Sequence, residues 1–354
     1  MSDSEDRLVE EAERLVPDLA ASAARVERDG VARGTLDRLA AAGLYGIQGP
    51  VWAGGSDAPG ATYRRVAELL AGADGNTWLV WFQHHPVVRM LAACDATELQ
   101  QRLPDLCSGQ ARAGVAFSHL RSSSPTITAR ADGQGWRLSG RQPWCTGWGL
   151  IDLVLVGAVT EDDQVMLALV PATEGNGLRA TDELSLAAMN GTHTVALELD
   201  GLPVVPADVA IMMPRPAWTV GDSLRASNVQ PSAVGIALAA LDVLRQRAPE
   251  QAALLGSKLA DLRGRAYELS DEPPTPDDMA ERLRLTARLL LLAVEITSTL
   301  VVSLGGSALA TSEPAQRWAR EATFHLVFAQ TSDLREAVLA ATATWLDGVQ
   351  TAQL

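Results

Sequence analysis

The chain has 354 residues, of which 47% are hydrophobic, and a formal net charge of −14 at pH 7. This length and composition predict two or three globular domains, and the negative charge argues against the clustered Lys and Arg surface that nucleic-acid binding requires. The three cysteines have neither CxxC nor mixed Cys/His spacing, so the sequence predicts no disulfide framework and no metal site.

The acidic start of the chain lacks the basic residues and apolar stretch of a secretory signal. The most apolar run, Leu289 to Leu304, is interrupted by polar residues and is shorter than the roughly 20 residues that span a bilayer, so it is predicted to be a core helix. We therefore expect a cytoplasmic protein with no membrane association.

From Glu5 to about Cys107 the apolar residues recur at helical spacing. The turn dipeptides between Gly49 and Gly60 interrupt this pattern and predict a loop. Residues 1–112 are thus predicted to form an N-terminal α-helical domain.

Residues 113–213 show short runs of β type separated by turn signals, without a helical stretch long enough for a parallel crossover. We predict a middle domain that is an antiparallel barrel or sandwich. The six predicted strands are Val115–Ser118, Thr126–Ala131, Trp136–Ser139, Leu153–Val159, Val165–Val170 and Thr194–Leu199.

Residues 214–354 return to the helical period and predict a C-terminal bundle. Its four predicted helices are Leu224–Leu244, Ala252–Leu269, Met279–Leu304 and Glu313–Trp345.

The chain has no GxGxxG after a strand, no GxxxxGK[ST], no GxSxG and no HExxH. The most informative segment is GRQPWCTG at 140–147, between two predicted strands. It resembles the GxKxWxT segment of acyl-CoA dehydrogenases. Other pieces resemble that family in the expected order, namely ADGNTW at 73–78, GVAFS at 114–118, GG at 305–306, RWARE at 317–321 and TSDL at 331–334.

This resemblance spans nearly the whole chain and implies an α+β fold of the acyl-CoA dehydrogenase type, with an N-terminal helical domain, a central antiparallel β-barrel and a C-terminal four-helix bundle. It also implies FAD as the cofactor. By resemblance, Trp144 packs against the flavin, Thr146 lies near the reactive N5 edge and Ser118 contacts the pyrimidine side. Taken alone, Trp144 is more typical of a strand aromatic that fills a barrel.

At the adenosine end of FAD the resemblance implies contacts from Gly305, Gly306, Thr331 and Ser332, partly across a subunit interface. It therefore implies a homodimer or homotetramer. The same four residues are also typical of a helix stop and a helix N-cap.

The sequence departs from the family at the general base. Ordinary acyl-CoA dehydrogenases place a glutamate at the position of Ala329, or in some members at the position of Arg225. Proton abstraction by such a base typically contributes about 10²- to 10⁴-fold to the rate. The family's pyrophosphate-binding RxxFG element also has no match, although Arg245 and Arg247 lie nearby, and the CoA-binding segment after the first strand differs.

These departures resemble a sister branch, the two-component flavin monooxygenases similar to dibenzothiophene monooxygenase. There, an ADGS helix leads to an active-site histidine, and here Ala73–Asn76 leads to His84 and His85 on one predicted helix. Helical spacing also predicts that His325 shares a face with Ala329. We take His84, His85 and His325 as candidate catalytic residues that donate hydrogen bonds during oxygen chemistry. Each is about equally compatible with a structural histidine.

The sequence thus favours a monooxygenase-type enzyme that uses reduced flavin and O2 on a small organic substrate, with FMN as the alternative to FAD and a flavin reductase as a possible partner. The alternatives are an acyl-CoA dehydrogenase with a non-standard base, for which Glu295 is a candidate, and a base-less subunit of a heteromeric acyl-CoA dehydrogenase.

Overall fold

Helices form both ends of the chain and strands form its middle. The computed structural model of the protein describes residues 3–351, and side chains for residues 5–343. By its internal contacts the chain divides into two units. Unit 1 comprises residues 1–15, 25–63 and 76–219, and unit 2 comprises residues 16–24, 64–75 and 220–354.

The helices within residues 3–351 are, in chain order, α1 (Asp3–Asp29), α2 (Arg33–Ala41), α3 (Gly60–Ala73), α4 (Gly75–Phe82), α5 (His84–Ala93), α6 (Thr97–Gln100), α7 (Leu103–Ser108), α8 (Arg215–Ala226), α9 (Pro231–Arg247), α10 (Pro249–Ser270), α11 (Met279–Leu304), α12 (Pro314–His325) and α13 (Ser332–Thr351). The strands are β1 (Ala113–Ala116), β2 (Ile127–Asp132), β3 (Gly135–Cys145), β4 (Leu153–Thr160), β5 (Gln164–Pro171), β6 (Leu178–Ala180), β7 (Val195–Val204) and β8 (Val209–Pro214).

The strands form one mostly antiparallel sheet in the order β6-β7-β3-β2-β4-β5-β8, with β1 beside β4. Strands β1 and β2 both run parallel to β4, which the prediction of a purely antiparallel arrangement missed. The six predicted strands are present, and β6 and β8 are additional. The change from helices to strands at Ala113 and back to helices at Arg215 agrees with the predicted α+β order.

Strands β4 and β5 are buried on both faces. Val154, Val156 and Met166 point into the interior of the sheet, whereas the alternating residues Leu155 and Leu167 pack against the helices α5 and α7. Since a strand directs successive side chains to opposite faces, burial of both faces requires an uninterrupted apolar run. This explains the sequence of these two strands.

Unit 2 has its core between the helices α9, α10, α11 and α12. Helix α3 crosses α9 at Gly235, where an added Cβ would lie 2.1 Å from the backbone oxygen of Glu68. Such an approach excludes any side chain at this position. The carboxylate of Glu68 is buried beside it and accepts hydrogen bonds from Arg263 Nε at 2.7 Å and from Tyr267 Oη at 2.7 Å.

Two predicted helices are each divided in the structure. The single helix predicted to lead from Ala73 to His85 breaks at Asp74 and again at Gln83, so that α4 begins at Gly75 and α5 begins at His84. The last predicted helix ends at His325 and resumes as α13 at Ser332, which reaches beyond the predicted end at Trp345.

Two helical stretches, Arg215–Arg247 and Met279–Leu309, are long and apolar enough by composition alone to cross a membrane. Core helices of soluble proteins have the same character. Helix α11 contributes Leu285, Leu289 and Ile296 to the core of unit 2, as the sequence predicted.

Candidate functional site

The segment 140–147 forms the end of β3 and the turn that follows it. Gln142 is fully buried, and its Nε2 donates to Ser118 Oγ at 2.8 Å and to the backbone oxygen of Trp144 at 2.7 Å. A backbone oxygen only accepts, which fixes the orientation of the amide. Within residues 5–343, Gln142 Oε1 has no hydrogen-bond partner. Gln142 thus joins two of the predicted flavin contacts and adds an unused acceptor beside them.

Thr146 begins a row of buried threonine hydroxyls. Its Oγ1 lies 3.0 Å from Thr194 Oγ1, which lies 2.8 Å from Thr192 Oγ1. Thr192 Oγ1 in turn donates to the backbone oxygen of Met189 at 2.7 Å. We call Thr146, Thr194 and Thr192 the threonine chain. The sequence prediction included Thr146 and missed Thr192, Thr194 and Gln142.

The backbone holds the turn after Thr146 in place. Gly147 has φ of 83°, a conformation that favours glycine. Its N–H donates to the Thr192 oxygen at 2.9 Å, and the N–H of Trp148 donates to the His193 oxygen at 3.0 Å. The turn directly after Thr146, the residue predicted to contact flavin N5, is therefore held by main-chain hydrogen bonds, and Thr146 itself is held by its hydroxyl contact.

Trp144 is half exposed, at 50%, although its neighbours Gln142 and Cys145 are fully buried. The exposure of Trp144 therefore does not support the alternative that it is a strand aromatic filling the barrel. A flavin needs an apolar wall and a few fixed polar groups along its edge. An exposed Trp144, an unused acceptor on Gln142 and the hydroxyls of Ser118 and Thr146 fit that requirement. The contacts themselves remain a prediction.

His84 and His85 lie in a buried aromatic cluster of unit 1. The ring of His85 is 4.2 Å from that of Trp81 and 5.3 Å from that of Tyr63, and the ring of His84 is 4.7 Å from that of Tyr45. Burial lowers the pKa of His84 to about 3 and that of His85 well below its usual value. Both imidazoles are therefore neutral at pH 7.

The two neighbouring histidines differ in their bonding. His84 Nδ1 accepts a hydrogen bond from the N–H of Ala113 at 3.2 Å. Neither ring nitrogen of His85 has a hydrogen-bond partner among the side chains that the structure describes, and the same holds for the hydroxyl of Tyr63. His85 thus lies in this cluster without a described hydrogen-bond partner, whereas His84 supports the start of β1.

His119, which follows Ser118 in the turn after β1, is a structural residue. Its Nε2 lies 2.9 Å from the backbone oxygen of Gly157, and its Nδ1 accepts from the N–H of Thr126 at 3.1 Å. Burial lowers its pKa, which favours this neutral, doubly bonded form.

His325 is buried at the last position of α12, and burial lowers its pKa to about 3. The N–H of Phe328 still bonds to the oxygen of Phe324 at 3.0 Å, but Ala329 has φ of 53° and leaves the helix. The helical spacing that predicted a shared face for His325 and Ala329 therefore does not extend to Ala329. A catalytic role for His325 remains a prediction.

The four residues predicted at the adenosine end of FAD occupy helix termini in unit 2. Gly305 ends α11 with φ of 63°, and an added Cβ on Gly305 or Gly306 would meet nothing within 4 Å. Thr331 precedes α13, and its Oγ1 accepts from the N–H of Leu334 at 3.3 Å, while Ser332 is the exposed first residue of that helix. The helix stop and the N-cap are both present, and contact with FAD remains a prediction.

Neither position of the family's base holds a carboxylate. Ala329 lies in the left-handed conformation between α12 and α13, and Arg225 is an exposed residue in the last turn of α8, 3.8 Å from Asp222. Glu295, the alternative base, is half-buried on α11. A surface recess of about 620 Å³ exists on β3, β6 and β7, lined by residues including the exposed pair Arg179 and Glu198, and does not include the predicted flavin contacts.

Comparison with known proteins agrees with this architecture. Residues 2–110 match the acyl-CoA dehydrogenase N-terminal domain. The 2-methylacyl-CoA dehydrogenase of Solanum tuberosum is 24% identical over 329 residues, covering 84% of this chain and 79% of that protein. The probable acyl-CoA dehydrogenase fadE25 of Mycobacterium leprae is 24% identical over 348 residues, covering 86% and 85%.

Solved structures share the fold over nearly the whole chain. The acyl-CoA dehydrogenase of Geobacillus kaustophilus has a TM-score of 0.79 at 14% identity, covering 97% of this chain and 98% of its own. KijD3 in complex with FMN and a dTDP-amino sugar has a TM-score of 0.79 at 22% identity, covering 97% and 94%. The dibenzothiophene monooxygenase of Paenibacillus sp. A11-2 has a TM-score of 0.74 at 18% identity, covering 94% and 96%.

Proposed function

We propose that this protein is a monooxygenase-type enzyme of the acyl-CoA dehydrogenase-like superfamily of flavin-dependent oxidoreductases, which uses reduced flavin and O2 on a small organic substrate. The match of residues 2–110 to the acyl-CoA dehydrogenase N-terminal domain and the fold shared with solved structures support this proposal. Bound flavin supplies the electron transfer, and the protein's residues position it and exclude water. Ser118, Trp144 and Thr146 would hold the ring.

The absence of a carboxylate at both base positions is the observation that carries this proposal. A thioester dehydrogenase must remove a proton from carbon, which needs a positioned base. Ala329 has no titratable group, and the guanidinium of Arg225 stays protonated at any physiological pH. Oxygen chemistry on reduced flavin requires instead neutral hydrogen-bond donors in a dry site, and the buried imidazole of His85 has that character.

The test is anaerobic mixing of the protein, loaded with oxidised FAD, with saturated acyl-CoA thioesters of several chain lengths. We expect the flavin absorbance to remain unbleached, because no base removes the α-proton. An active acyl-CoA dehydrogenase in parallel serves as the positive control. Rapid bleaching by any thioester would contradict the proposal.

The second candidate is an acyl-CoA dehydrogenase with a non-standard base, favoured by the two dehydrogenase relatives that cover most of the chain. In that case bleaching would occur and would be lost in Glu295→Gln or in His325→Gln. Bleaching that survives in both variants would also exclude these two residues as the base.

For the cofactor we propose FAD, with FMN as the alternative, delivered in reduced form by a partner reductase in the cytoplasm.

For the assembly we propose a homodimer or homotetramer. Exposed apolar side chains near the end of α11, Val302 and Leu309, support it, since such groups favour burial against a partner. Sedimentation should show an assembled species that Val302→Glu converts to monomer. Co-purification of a second, different family member would contradict a homo-oligomer.

A further inference from the structure

The threonine chain has only one consistent arrangement of its hydroxyl hydrogens. Because a backbone oxygen can only accept, Thr192 donates its single hydroxyl hydrogen to the backbone oxygen of Met189 at 2.7 Å. Thr194 must then donate to Thr192 across 2.8 Å. Thr146 must in turn donate to Thr194 across 3.0 Å. Each hydroxyl has one hydrogen, and all three are committed.

The direction of the chain determines what Thr146 offers to a ligand. With its hydrogen committed to Thr194, the Thr146 hydroxyl can present only lone pairs and acts as an acceptor. Position N5 of a flavin is an acceptor when the flavin is oxidised and carries a hydrogen when the flavin is reduced. Two acceptors form no hydrogen bond, and desolvating them without one is unfavourable.

We propose that the threonine chain makes this site selective for reduced over oxidised flavin. The proposal rests on the proposed function, in which the N5 edge lies against Thr146. It deepens that function, because an enzyme that receives reduced flavin from a reductase needs to prefer the reduced form over the oxidised form that it releases.

The surrounding backbone opposes reversal of the chain. Reversal would place lone pairs of Thr192 against the Met189 oxygen at 2.7 Å, which is repulsive. Met189 and His193 both have left-handed backbone conformations, with φ of 59° and 48°, and the oxygens of Thr192 and His193 accept from the turn at Gly147 and Trp148. The segment therefore has little freedom to reorient its hydroxyls.

The experiment measures dissociation constants of oxidised and reduced FAD and FMN under anaerobic conditions. We expect the full-length protein to bind the reduced form at least about tenfold more tightly, a factor typical of one hydrogen bond made in only one state. Thr194→Val removes the acceptor of Thr146, whose hydrogen can then turn to the flavin, so the preference should fall to about threefold or less. Thr194→Ser keeps the hydroxyl and should retain the preference.

Thr192→Val gives an independent check if Thr194→Val folds poorly. Without Thr192, the hydrogen of Thr194 can turn to Thr146, and the preference should fall in the same way. Thr128→Val is the matched control, because its hydroxyl faces the exposed side of β2, 3.4 Å from the Ser139 oxygen. It should leave the ratio unchanged.

The outcomes separate the inference from the proposed function. Flavin that binds equally well in both redox states overturns the selectivity while flavin binding stands. A ratio that is unchanged in both Thr194→Val and Thr192→Val overturns the role of the threonine chain in that selectivity. Failure of the unaltered protein to bind either redox form overturns the proposed function, and the selectivity with it.

Discussion

Two buried polar regions of unit 1 differ in how completely they are bonded. In the threonine chain every hydrogen has an assigned acceptor, ending on the Met189 oxygen. In the aromatic cluster, His85 and Tyr63 contribute polar atoms that have no partner among the described side chains. A bonded chain has a direction and therefore a fixed preference for its ligand, whereas an unbonded imidazole takes either role and is costly to the fold until a ligand satisfies it.

The largest expected effect is a loss of stability in acid. The pKa values of His84 and His325 are lowered to about 3 and that of His85 is lowered well below the usual value, all by burial. Below a pH of about 6.5, which is the usual pKa of histidine, these histidines become protonated in the unfolded chain but stay neutral in the folded chain. The free energy of unfolding should therefore fall by about 2 kcal/mol per histidine by pH 5.

Urea unfolding at pH 8, 6.5 and 5 measures this loss. In His325→Leu the dependence on pH should weaken by the share of one histidine, whatever the variant's stability at pH 8. An unchanged dependence would mean that His325 is not a buried neutral group in the folded protein.

The next effect concerns His119, whose ring is bonded at both nitrogens. His119→Leu leaves the N–H of Thr126 and the oxygen of Gly157 without their partner. We expect the free energy of unfolding to fall by about 2 to 4 kcal/mol. Chemical denaturation measures it, with the exposed Ser123→Ala in the same turn as the control. A loss below about 1 kcal/mol would contradict the structural role assigned to His119.

Trp144→Ala tests the predicted flavin wall at the end of β3, beside the threonine chain. Removal of the half-exposed indole should weaken flavin binding at least about tenfold, because the ring loses its apolar wall. Flavin titration measures the effect. Trp52→Ala removes another exposed tryptophan of unit 1 and should leave the affinity unchanged. Equal affinities of Trp144→Ala and the unaltered protein would exclude Trp144 as the flavin wall.

The smallest effect distinguishes the two adjacent histidines. His85→Leu removes two unbonded nitrogens and should raise the free energy of unfolding by about 1 kcal/mol, whereas His84→Leu removes the acceptor of the Ala113 N–H and should lower it by a similar amount. Thermal unfolding of both variants checks the signs. Destabilisation by His85→Leu would show that its nitrogens already have partners in solution.

The sequence predicted the large elements well because their signals are local. The apolar runs of β4 and β5 and the helical period of α11 each identify one element without reference to the rest of the chain. The break after His325 was missed because it contains neither Gly nor Pro, and the break at Gln83 was missed although Pro86 follows it in the first turn of α5. The three-residue strand β6 is too short to show a period.

The site could be predicted only in part, for a physical reason. Segment 140–147 drew attention to Trp144 and Thr146, but the partner of Thr146 is 48 residues away in sequence. Thr192 ends a 3-10 turn and His193 has a left-handed conformation, so neither a helical nor a strand period places Thr192 and Thr194 on one side. Nothing local shows which distant hydroxyl such a pair would meet.

The double-sided burial of β4 and β5 also limits how this chain can be cut. A fragment that contains only residues 113–213 would lack α5 and α7, so its face that bears Leu155, Val165 and Leu167 would be exposed to water. Apolar strands without their cover are prone to pair with other chains, both in a fragment and in a partly synthesised protein. The strands that bear Trp144 should therefore be insoluble as an isolated fragment, whereas in the full chain α5 and α7 precede these strands and cover their apolar face.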